Sequence, residues 1–100
     1  MALRYADYSP CMRKPPSLPQ TDWIREYLSE RFPGQPLPER ELTTGKRSID
    51  VRDSGNRPKE LRFEPAAVAG WTKESLQALL RDNNIADQLE NASYAVDLRP

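Results

Sequence analysis

One hundred residues are enough for a single domain. Fifteen Lys and Arg balance fifteen Asp and Glu, and His is absent, so no general affinity for polyanions is expected and no imidazole serves a metal or a Ser-His-Asp triad. No apolar run approaches the ~20 residues of a bilayer span, and the single cysteine, Cys11, excludes an internal disulfide.

Residues 1–20 read as a Pro-rich extended tail, with Pro10, Pro15, Pro16 and Pro19 fixing φ and removing backbone donors. The start Met1–Asp7 lacks the apolar stretch of a signal peptide, so a cytoplasmic location is expected. Cys11 is an unpaired thiol with neither a base nor a resolving partner nearby in sequence. Arg13, Pro16 and Pro19 stand at the spacing of a basic-x-x-Pro-x-x-Pro ligand, whose preformed polyproline II helix docks at low entropic cost.

Residues 21–100 form the expected α+β domain. Trp23, Ile24, Tyr27, Leu28 and Phe32 recur at helical spacing, which predicts a helix over about 21–31 with Thr21 as N-cap and Pro33-Gly34 as its end. Gln35-Pro36-Leu37-Pro38 reads as a rigid connector. Two strands follow: Ile49 and Val51 alternate with polar residues, as do Leu61 and Phe63. The turn formers of Asp53–Pro58 predict an antiparallel hairpin, with Pro58 at the entrance of the second strand.

Pro65–Ala69 suggests one helical turn before Gly70. Thr72 is the N-cap of the best-marked helix, with Trp71 and Leu76 at the spacing of a hydrophobic staple. Leu76, Leu79 and Leu80 form its stripe, but Ile85 lies about 180° round from Leu76, so a break is expected at Asn83-Asn84, where Asn tolerates the left-handed region. Ser93–Leu98 is a last strand, with Tyr94, Val96 and Leu98 on one face. The expected fold is therefore a small two-layer domain of α-β-β-α-β order. Its three-stranded antiparallel or mixed sheet has spatial order 2-1-3 and is covered on one face by two helices.

Elimination shapes the functional reading. The four glycines stand singly, so there is no phosphate loop, and neither a Gly-x-x-Gly RNA clamp nor an aromatic RNA-binding strand motif occurs. No cofactor and no metal are expected. The leading expectation is a non-enzymatic module that binds another protein, or itself, through an exposed sheet edge carrying Tyr94 and Val96. The alternative is a nucleic-acid interface on the hairpin, where Lys46, Arg47, Arg52, Arg57, Lys59 and Arg62 cluster, interleaved with acids. A third reading is a metal-free carboxylate enzyme built on two of Asp50, Glu60, Glu64 and Asp97, with Asp50 and Glu60 facing each other across the hairpin.

Overall fold

The computed structural model describes residues 18–99, and Arg13, Pro16 and Cys11 lie outside that range. Helix α1 spans Pro19–Arg31. Pro19 occupies its first turn, where the missing N–H costs nothing and the fixed φ is already helical. The helix therefore starts two residues before the expected Thr21. Thr21 is no cap but a buried helical residue whose hydroxyl donates to Glu39 Oε2 at 3.2 Å. Pro19 and Gln20, expected in the extended tail, are thus helical. Ile24, Tyr27 and Leu28 form the buried stripe, and Phe32 closes the helix by donating its N–H to Leu28 O.

Four strands follow the order β1 (Glu39–Glu41), β2 (Arg47–Arg52), β3 (Pro58–Phe63) and β4 (Ala95–Asp97) across one mixed sheet. The β2–β3 hairpin pairs antiparallel from Arg47↔Phe63 to Arg52↔Pro58, and Pro58 opens its strand as expected. Two features correct the three-stranded, 2-1-3 arrangement. Glu39-Arg40-Glu41, which has no apolar alternation to mark it, pairs antiparallel with β2 and occupies the edge assigned to the last strand. β4 instead pairs parallel with β3. The reason is the return path: a helical crossover from β3 delivers a strand parallel to it, and the adjacent slot is the free side of β3.

That crossover holds α2 (Pro65–Val68), α3 (Lys73–Asp82) and α4 (Ile85–Asn91). Thr72 caps α3 through Ser75, whose backbone N–H donates to the Thr72 hydroxyl at 3.2 Å. The break between α3 and α4 falls at Asn84, in the left-handed region at φ 51°, and lets both Leu76 and Ile85 be buried. Register places Ile49, Leu61 and Val96 side by side, and these join the stripes of the helices in one core. Among the described residues no helix is long and apolar enough to cross a membrane.

Candidate functional site

Because side chains alternate along a strand, the sheet residues between the core positions lie on the face opposite the helices. Arg40, Asp50, Glu60 and Arg62 meet there. Asp50 and Glu60 are cross-strand partners, as the sequence suggested. Arg40 forks onto both Asp50 oxygens at 3.1 Å and reaches Glu60 Oε1 at 2.8 Å. Tyr94 donates its hydroxyl to Glu60 Oε1 at 2.6 Å, and Arg62 Nε donates to Oε2. Glu60 is only 1% exposed although it sits on the open face. Burial pushes its carboxyl upward, but the Tyr94 hydroxyl and the two guanidinium groups outweigh that, and the pKa falls below the usual range. The same hydrogen bond holds the Tyr94 phenol above its ordinary value. Glu60 is thus a fixed, saturated anion, a poor proton donor near neutrality and an anchor for the Tyr94 ring.

The other carboxylates of the enzymatic reading are apart from this pair. Asp97 lies 3.5 Å from Lys46, and Glu64 is exposed beyond β3. Among the described residues no group of three or more His, Cys, Asp or Glu is placed to hold a metal ion.

The hairpin cations are mostly committed to acids. Arg47 is buried, 3.1 Å from Glu39. Arg57 and the buried Lys59 both bind Asp53, at 3.0 and 3.1 Å. Lys46 pairs with Asp97 and Arg62 with Glu60. Arg52 is exposed and donates to Asn56 O at 3.0 Å, with no acidic partner among the described residues. Lys59 and Arg47, read from the sequence as hairpin surface, are instead interior groups, because each finds a buried carboxylate that offsets its desolvation.

The two sheet edges differ. On the β1 side the edge is short and charged, and past β1 it is closed. Pro38 O accepts from Asp50 N at 3.0 Å, and the Gln35 amide bonds both the N–H and the C=O of Arg52, at 2.7 and 2.9 Å. A side chain there completes the ladder in place of a strand, which blunts that edge. On the β4 side, Glu60 N donates to Tyr94 O and Leu98 N to Arg62 O. In a parallel ladder that pattern turns Tyr94, Val96 and Leu98 toward β3, and the N–H and C=O groups of Ala95 and Asp97 outward. Beside them a groove of about 650 Å³ runs between β4 and α4, lined by Asn84, Asp87, Gln88 and Asn91 of the helical segment. Tyr94, at the head of this strand, is the exposed large apolar residue of the described chain, at 43%.

Of the residues expected to bind protein, Val96 lies on an edge strand, turned into the core, and Tyr94 stands just ahead of that strand. Pro19 lies in α1 rather than in an extended ligand. Sequence reasoning missed β1 and the role of Gln35. The available signal was Pro36 and Pro38 directly ahead of Glu39, since proline is tolerated at the entrance or edge of a sheet. No protein-family model, no curated protein and no solved structure matches this chain.

Proposed function

We propose that this protein is a non-enzymatic recognition module whose β4 edge takes an extended segment of another protein as an added strand. The observation that carries this is the pair of outward-turned peptide groups at Ala95 and Asp97, open along a groove against α4, whereas the opposite edge is the three-residue charged strand β1, with the ladder beyond it capped by Gln35. Main-chain hydrogen bonds to such an edge supply affinity, and the flanking helix supplies selectivity. The ion-paired state of the hairpin cations favours the edge over the hairpin as the working surface. A cytoplasmic setting belongs to the same proposal, on the single cysteine in the chain.

The test is a display selection of random peptides on the full chain, followed by amide-resolved NMR. Peptides that bind should shift the Ala95 and Asp97 amides and protect them from exchange, and Ala95→Pro should abolish their binding without loss of the fold. Selected peptides that leave both amides unmoved, or a selection that yields none, would overturn the reading.

A further inference from the structure

A second concave surface, on the open face, is independent of the β4 edge. It is a cleft of about 470 Å³, within the range of small-ligand sites. Pro36, Leu37 and Pro38 enter it from the β1 side of the hairpin, and Tyr94 from the β4 side, with Pro58 between them and Arg52 among its lining.

The cleft is preformed. The Gln35 amide pins its loop to both backbone groups of Arg52, Pro38 O is held by Asp50 N, and Arg25 Nε donates to Leu37 O at 3.0 Å. Leu37 sits at φ 51° with its side chain buried, a left-handed conformation that these surrounding bonds enforce. On the far side the Tyr94 ring is tethered by its hydroxyl to Glu60. Little ordering is left for a ligand to impose, which favours affinity.

Its chemistry is selective. The exposed rings of Pro36, Pro38 and Pro58 and the tyrosine face offer apolar surface, while Arg40 is already neutralised by Asp50 and Glu60. Arg52 has no acid among the described residues to meet. A single available guanidinium fork matches one carboxylate.

We infer that this cleft binds a small aromatic carboxylate, its ring against Tyr94 and the prolines and its carboxylate on Arg52.

The test titrates the full chain, followed by NMR, with benzoate and indole-3-carboxylate, with the matching neutral carboxamides, and with a short peptide ending in Phe. Both free acids should give saturable shifts at Val51, Arg52 and Tyr94, at least about tenfold tighter than their carboxamides. Arg52→Gln should remove that preference, Arg52→Lys should restore part of it, and Tyr94→Ala should weaken acid and amide together. Equal binding of acid and amide, shifts centred elsewhere, or binding of the peptide terminus without the free acids overturns the inference. Shifts confined to the Ala95 and Asp97 amides do so too, because they belong to the other surface.

Discussion

The Lys59 ammonium lies 3.1 Å from the Asp53 carboxylate, with the two side chains 3% and 0% exposed. The same ammonium donates to Leu89 O, Glu90 O and Ala92 O at 2.7, 3.2 and 2.6 Å. These are carbonyls that the end of α4 leaves unpaired, and the cation also meets the negative end of the helix. One side chain thus joins the hairpin turn to the end of α4 and places that helix beside β4, where the groove opens. Lys59→Met leaves the buried Asp53 carboxylate with Arg57 as its cation and the helix-end carbonyls with none. It should cost about 3–5 kcal/mol in urea unfolding, and combining it with Asp53→Asn should cost less than the two single losses together.

Asp53 sets an acid limit on the fold. Its carboxylate accepts from Arg57 N and Gly55 N, each at 2.9 Å. The Arg57 N–H is the largest influence; with Lys59, the Arg57 charge and the Gly55 N–H it outweighs burial and holds the pKa down to about 2, from 3.8. A carboxyl that binds protons less readily when folded stabilises the fold above its unfolded pKa, and that contribution is lost as pH falls through about 2. Glu60 shifts in the same direction. Urea midpoints should therefore stay level above about pH 4 and fall below it, and Asp53→Asn should flatten the slope. An unchanged slope in that variant would count against this assignment.

Ser48 is fully buried on β2, and its hydroxyl has no hydrogen-bond partner among the described residues. A desolvated hydroxyl that gains no bond opposes folding, so Ser48→Ala should raise stability by about 1 kcal/mol. Chemical denaturation at neutral pH reads the change directly, and a loss of stability would show that the hydroxyl is bonded in solution.

Asn84 carries the chain from α3 to α4 at φ 51°. A β-branched residue is strained there, so Asn84→Val should cost about 1–2 kcal/mol, whereas Asn84→Gly should be close to neutral. Thermal unfolding of the pair separates backbone strain from loss of the amide side chain.

Hydrogen exchange should split the last strand residue by residue. Leu98 N–H is bonded to Arg62 O and should exchange slowly, while the outward amides of Ala95 and Asp97 exchange fast. Slow exchange at all three in the isolated chain would mean that the edge is already occupied.

Much of the local structure was legible from residue order. Period-two alternation marked β2 and β3, the turn formers joined them as a hairpin, Thr72 marked a helix start, and the phase conflict between Leu76 and Ile85 located the break at Asn84. Each of these signals is carried by neighbours in the chain, through steric limits on φ or the burial of one face. The charged segment Glu39-Arg40-Glu41 carried no such mark: its strand pairing is imposed by the open edge of β2, not by its own composition.

The open-face pair of Asp50 and Glu60 was readable from alternation, but not the convergence on it of Arg40 and Tyr94, which come from β1 and from the start of β4. Nor did Lys59 announce that it is interior, since only the folded chain brings Asp53 and the end of α4 around it. Sequence alone determined which residues become helix, hairpin and core, because propensity and periodicity act over a few residues. Tertiary structure decided strand order, which edge stays open, and which charges are spent inside, because those depend on which distant segments compete for the same backbone groups and the same counter-ions.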